Sequence, residues 1–209
     1  MKSLLIDTSS FFVTIALLEN EKTLDIYQEN ITGDMASMII SQIDKIVSKN
    51  NTPISDIKRI YVINGPGSFT GIRIGVSIAK TLGWAKKIDL IPISSLELLA
   101  TTNTATDYNI GLIDARRGNV FAGVYDGNLN CILNDQLIEL DKIINQYPIA
   151  TLISVNDINN SIFPKYDIEK LIKKHENDTP VNPHKLNPNY LKLTEAEENK
   201  NKQNDKENN

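Results

Sequence analysis

The chain has 209 residues, 41 % of them hydrophobic, which is enough for one domain or two small ones with a real core and argues against wholesale disorder. Its formal net charge of −4 argues against a stand-alone nucleic-acid binder, which needs a concentrated basic footprint, although Arg73, Lys80, Lys86 and Lys87 make a local basic group. The single cysteine, Cys131, rules out an internal disulfide and suits a reducing compartment.

At the N-terminus, Lys2 and the apolar residues after it have the outline of a secretory signal, but Asp7 and Thr8-Ser9-Ser10 interrupt it. No run reaches the roughly 20 apolar residues of a membrane helix, so a soluble cytoplasmic protein is expected. Residues 3–6, 11–18 and 24–31 read as three strands joined by short turns, an antiparallel meander. The period then changes. Met35, Met38, Ile39, Ile43, Ile46 and Val47 recur mostly at steps of three and four, an amphipathic helix capped by Asp34 and closed by Asn50-Asn51. Pro53 should open a helical turn over 52–56. A strand at 59–63, a glycine loop, a helix at 69–85, a strand at 90–93 and a short helix at 95–100 follow. Meander followed by alternation predicts an α/β fold with a mixed sheet flanked by helices.

From Tyr108 the meander theme returns, with strands at 110–114, 120–125 and 129–137, a helix at 140–146 and a strand at 150–155. The second half therefore reads as a shortened copy of the first. From Thr194 onward there is no apolar period, and disorder is expected.

The glycine loop, Asn64-Gly65-Pro66-Gly67-Ser68-Phe69-Thr70-Gly71, invites a phosphate-binding reading. The P-loop pattern fails, because Ile72 follows Gly71 and Lys80 lies about 13 Å along the helix. The dinucleotide fingerprint fails too, since the spacing is wrong and Ser94, not an acid, ends the next strand. A generic anion site remains at Ser68, Phe69 and Thr70, whose N–H groups open a helix. The competing reading is packing. Gly71, Gly75, Ala79 and Gly83 recur every four residues, a stripe that lets a neighbour approach closely, and it is the favoured one.

Asp7, with Thr8 beside it, ends the first strand, and Asp114 holds the equivalent place in the second half. Two such aspartates facing one cleft would suit a duplicated nucleotide-binding fold, whereas a local capping role for Asp7 is the plainer alternative. Histidine chemistry is poorly supplied. His175 and His184 are the only histidines and form no His-x-x-x-His pair, so neither a histidine-held metal nor a Ser-His-Asp site is expected. The Met35-Met38-Ile39 face, with Ile40 just outside it, joins the small-residue helix as the best candidate for an oligomer interface.

Ile6-Asp7-Thr8-Ser9, the string from Asn64 to Gly75, Ser94-Ser95-Leu96-Glu97, and Asp114 through Gly118 resemble the TsaB (YeaZ) family in order and spacing. Pro188-Asn189-Tyr190-Leu191-Lys192 is similar to that family's closing Tyr-Leu-Arg stretch. The resemblance implies two ribonuclease-H-like halves of the acetate kinase/Hsp70/actin (ASKHA) class, here 1–103 and 104–193 with a polar tail at 194–209. It implies a non-catalytic partner of TsaD in threonylcarbamoylation of the tRNA adenosine beside the anticodon, with no cofactor of its own. TsaD carries the His-x-x-x-His metal motif that this chain lacks, and the ATPase TsaE joins their assembly. The tRNA would be met only as part of the complex, and the chain alone could form a homodimer.

The family places its dimer contacts on the first two long helices, which implies roles for Met35, Met38, Ile39, Gln42, Ile74 and Ile78. It also implies a vestigial phosphate or nucleotide site at Asp7, Thr8, Gly65, Gly67, Ser68, Thr70 and Asp114. One departure is that Asp34-Met35-Ala36 stands where the family commonly has His-Ser-Glu. An older glycoprotease label for the wider family finds no support in these residues. The rival readings are an ATP-binding or ATP-hydrolysing enzyme in its own right and a purely structural homodimer.

Overall fold

A computed structural model describes residues 1–30, 33–102 and 105–191. The expected disorder after Thr194 and the boundary at 103/104 fall outside the described residues, as does Ile31, the expected end of the third strand.

The meander forms as expected. Strands β1 (Lys2–Asp7), β2 (Phe12–Glu19) and β3 (Lys22–Asn30) pair antiparallel in sequence. Helix α1 (Met35–Lys49) follows, with the Asp34 carboxylate accepting the Ser37 N–H as its cap. Pro53 sits just before a short 3₁₀ turn (Ile54–Asp56) rather than inside it, because its extended ψ of 147° lies outside the helical region. Strand β4 (Ile57–Gly65), helix α2 (Phe69–Lys86), strand β5 (Asp89–Ser94) and helix α3 (Ser95–Ala100) complete the first unit. Its sheet order is β3-β2-β1-β4-β5, with β4 parallel to both β1 and β5.

The second unit repeats that plan in short form. Strands β6 (Tyr108–Asp114), β7 (Asn119–Asp126) and β8 (Cys131–Glu139) form a meander; helix α4 (Leu140–Gln146) leads to β9 (Thr151–Ile153), parallel to β6. The order β8-β7-β6-β9 matches β3-β2-β1-β4. Strand β8 starts at Cys131, two residues after the expected Leu129. The Asp126 carboxylate accepts the N–H groups of Asn128 and Asn130, which turns the chain there and leaves Leu129 at φ 63°.

Both faces of the first sheet are covered. Leu4, Ile6, Ile15 and Val62 pack against α1 and α2, while Leu5, Ala16, Tyr61 and Ile63 face α3. Every residue of α3 is buried, and Gly111 of β6 brings the second sheet onto it: a Cβ there would lie 2.4 Å from the Leu96 carbonyl oxygen. Helix α5 (Ile168–His175), absent from the sequence reading, is capped by Asp167 and buries Ile168, Leu171 and Ile172 against the same layer. Beyond α5 the chain returns to the first sheet, where Val181 bridges Leu90 and Leu186 enters the core. Among the described residues no helix is long and apolar enough to cross a membrane.

Candidate functional site

The glycine loop is a packing joint. A Cβ at Gly71 would lie 2.1 Å from the Thr8 carbonyl oxygen, and one at Gly75 would lie 2.3 Å from Thr8 Oγ1. Thr8 Oγ1 in turn donates to the Gly71 carbonyl at 2.7 Å. At Gly67, φ is +154° and a Cβ would lie 2.3 Å from the Ser9 carbonyl oxygen. The Thr8-Ser9 segment just after β1 thus packs against the glycines of the loop, while Gly67, Ser68 and Ser9 also face an open cavity. Two of the loop amides are also engaged: Ser68 N–H donates to the Ser9 carbonyl at 2.7 Å, and Gly71 N–H to Ser68 Oγ. Gly65 serves a different contact, since its missing side chain leaves room for the Asn189 carbonyl. Thr70 is exposed at the first turn of α2.

Asp7 and Asp114 make the same local turn in the two halves. Asp7 accepts the Ser9 N–H at 2.8 Å, and Asp114 accepts the Arg116 N–H at 2.8 Å. Their surroundings differ. A cavity of about 340 Å³ lies between the two sheets, bounded by Ser9, Ser68, Ser95, Asp114, Arg116 and Tyr166, among others. Of the two aspartates, Asp114 alone lines it; Asp7 is 1 % exposed and withdrawn from the wall. The expectation of two carboxylates facing one cleft is therefore corrected, because β1 ends deeper in the core than β6 does.

Burial pushes the Asp7 carboxyl up to about 6, with the hydrogen bonds from Ser9 pulling partly the other way. Burial and the Asp7 charge together raise the Tyr166 phenol. For Asp7 the folded value exceeds its ordinary 3.8, so its contribution to stability is fully present below that value and is lost as pH rises through about 6. Asp7→Asn, which keeps an acceptor for Ser9, is expected to be more stable than the parent at pH 7.5, by about 3 kcal/mol at most. The gain should vanish near pH 4. Thermal unfolding at the two pH values checks this, and a pH-independent difference would contradict it.

Behind the cleft, Glu97 of α3 gathers cations from α5. Lys174 Nζ lies 2.8 Å and His175 Nε2 3.1 Å from its Oε1, with Asp178 on the other ring nitrogen of His175. Burial opposes the charge on Glu97, but the bonds from His175 and Lys174 outweigh it and hold the carboxyl below its usual range. Burial likewise works against a charged His175, yet Glu97 and Asp178 prevail and raise its value. This cluster ties α5 to α3. Among the described residues no group of three or more His, Cys, Asp or Glu side chains could hold a metal ion.

The other candidate feature is the outer face of α1 and α2. Met35, Met38, Gln42, Ile74 and Ile78 are half-buried along it. Ile39 is not on it. It is 0 % exposed and packs inward with Ile43 and Ile46, so a direct contact through Ile39 is corrected. The helical turn places Ile40 outward instead, at 59 % exposed. An apolar groove of about 280 Å³ runs between the helices, lined by Ile40, Ile43, Ser77, Ile78, Thr81 and Leu82. A second hollow of about 370 Å³ adjoins it, with Ala36, Phe69, Arg73, Ile74 and Ile78 in its wall. Leu82 was legible as the next step after Ile74 and Ile78, whereas Arg73 reaches this face through a tertiary contact described below.

Over residues 34–191 the chain matches the family model described as TsaD, tRNA N6-adenosine threonylcarbamoyltransferase. It is 35 % identical over 144 residues to the tRNA threonylcarbamoyladenosine biosynthesis protein TsaB of Bacillus subtilis (strain 168), covering 67 % of this chain and 63 % of that protein. To the protein of the same name from Escherichia coli (strain K12) it is 32 % identical over 143 residues, 66 % of this chain and 61 % of that one. The chain therefore spans less than two thirds of the length of either relative. Among solved structures, YeaZ from Pseudomonas aeruginosa superposes with a TM-score of 0.77 over 91 % of this chain and 99 % of that one, at 20 % identity. That likeness speaks for the fold, two mixed sheets flanked by helices, and the match to the TsaD family model places it in the ASKHA class. The TsaB of Buchnera aphidicola subsp. Schizaphis graminum (strain Sg) is 30 % identical over 148 residues, 67 % of this chain and 70 % of that protein. With these matches the chain belongs to the TsaB (YeaZ) family.

Proposed function

We propose that this chain acts in the threonylcarbamoylation of the tRNA adenosine beside the anticodon, as a non-catalytic partner that TsaD requires. The observation that carries the reading is the apolar groove between α1 and α2, open to solvent with Ile40 and Ile78 at its rim. A groove of this kind takes another protein's helix face. The catalytic side is supported by the sequence, whose only histidines, His175 and His184, cannot form a His-x-x-x-His metal pair. The packed glycine loop adds to this, since Gly67, Gly71 and Gly75 are held against Thr8 and Ser9. An ATP-hydrolysing role would want both aspartates at the cleft, and Asp7 is withdrawn from it. TsaE joins through the assembled pair, in the cytoplasm, and in the absence of TsaD the same groove serves a homodimer.

Reconstitution tests the reading. TsaD, TsaE, ATP, threonylcarbamoyl-adenylate and tRNA are combined with and without this protein, and modified adenosine is measured. Modification is expected only when both this protein and TsaD are present, with none when this protein replaces TsaD. Equal modification by TsaD without it would overturn the reading.

A further inference from the structure

The last described stretch of the chain builds part of the α2 surface. Leu186 is anchored in the first core, Asn64 Nδ2 donates to the Asn187 carbonyl at 3.1 Å, and Asn189 N–H donates to the Asn64 carbonyl at 2.7 Å. These ties lay Tyr190 over the start of α2. Its ring stacks on Phe69 at 5.1 Å between centroids, and its hydroxyl accepts Arg73 Nε–H at 2.7 Å. The Arg73 guanidinium carbon sits 3.7 Å from the centre of the Phe69 ring. One exposed arginine is therefore held by an aromatic residue of its own helix, Phe69, and by Tyr190, which lies 117 positions further along the chain.

Arg73 has no carboxylate partner among the described residues. Its Nε is spent on Tyr190, which leaves the two terminal nitrogens as a pre-oriented fork. A guanidinium fixed in this way has already lost much of its rotamer entropy, so an anion that meets it gains more than it would from a mobile surface lysine. The neighbourhood selects the anion's carrier. On one side Arg73 borders the hollow of Phe69, Ile74 and Ile78, continuous with the α1–α2 groove. On its other side Arg73 shares a hollow with Lys80, Asn187 and Tyr190. Two cations are fewer than a nucleic-acid surface gathers, whereas an acidic residue on an amphipathic helix suits a cation beside an apolar hollow.

We propose that Arg73, positioned by Phe69 and Tyr190, receives a carboxylate from the protein that seats in the α1–α2 groove, and so sets the register of docking. The inference rests on the docking role proposed above, and the experiment separates the two. TsaD is titrated against the full chain at low and high salt, with thermal unfolding used to show that each variant is folded. Arg73→Gln is expected to weaken TsaD binding about tenfold and to flatten its salt dependence. Tyr190→Phe keeps the stack but frees the guanidinium, and should weaken binding about threefold. Arg73→Lys, which keeps the charge and loses the fork, should fall between wild type and Arg73→Gln.

If Arg73→Gln binds as wild type does while Ile78→Glu does not bind, docking stands and this inference falls. If wild type fails to bind TsaD at all, the docking role itself falls and takes the inference with it. Three other results would also overturn it. Tighter binding by both Arg73→Gln and a Glu195→Gln/Glu197→Gln/Glu198→Gln variant would mean that the chain's own tail supplies the carboxylate. A loss of tRNA retention with TsaD affinity unchanged would mean a phosphate. A change confined to self-association would mean a second copy of this chain.

Discussion

Alanine at Gly71 is expected to cost more than about 4 kcal/mol and to leave little folded protein at 37 °C. The new Cβ would sit 2.1 Å from the carbonyl oxygen of Thr8, a backbone atom of a fully buried segment. Neither partner can step aside: α2 is seated on the sheet through Ile72 and Val76, and β1 is paired on both edges. Gly75 offers the informative companion, because there the obstacle is a side-chain atom, Thr8 Oγ1 at 2.3 Å, with Thr8 Cβ at 3.5 Å. Gly75→Ala alone should cost about 3 kcal/mol, at the upper end for overpacking. Thr8→Ala alone should cost about 1 kcal/mol, through the lost hydrogen bond to the Gly71 carbonyl. The double variant should cost about 2 kcal/mol less than the two together, since the Thr8 atoms in the way are gone. Denaturant unfolding of the four proteins measures this. Simple additivity, or a harmless Gly75→Ala, would show that the small-residue stripe is not held against Thr8.

Glutamate at Ile78 acts on the other side of the same helix. Ile78 is half-buried and lines both the groove and the adjoining hollow, so a carboxylate there would face the water of the free protein but the apolar surface of a bound partner. The isolated chain should lose little stability, while TsaD binding should fall at least about 100-fold and modified tRNA with it. Met38→Glu should act in the same direction but less strongly, because Met38 is outside the lining of either hollow. Unchanged modification by both variants would place the working surface elsewhere. An intact complex with lost modification would point to a role after docking.

Much of the architecture was legible because it is written in local periods. The short apolar runs of β1 and β2, the alternation of β3, the steps of three and four in α1 and the cap at Asp34 each depend on neighbours within a few residues. Helix α5 was equally local: Asp167 precedes Ile168, Leu171 and Ile172 at helical spacing. It is only eight residues long, among asparagines and prolines that read as loop, and its stability comes from the α3 layer and the Glu97 cluster rather than from its own propensity. The difference between Ile39 and Ile40 is one of angle. Both are apolar, and the turn of 100° between them sends one to the core and the other to solvent.

By itself the sequence determined the order of elements, the duplicated plan of the two halves, the lack of a histidine metal pair and the likeness to the TsaB family. Only the tertiary structure decided what the special residues do. It put Thr8 into the glycine stripe, withdrew Asp7 from the cleft while leaving Asp114 at its edge, and carried Tyr190 across to Arg73. Periodicity and propensity say which face of an element is apolar or small. Which distant segment covers that face is chosen by packing among all elements at once, and no window of the chain contains that choice.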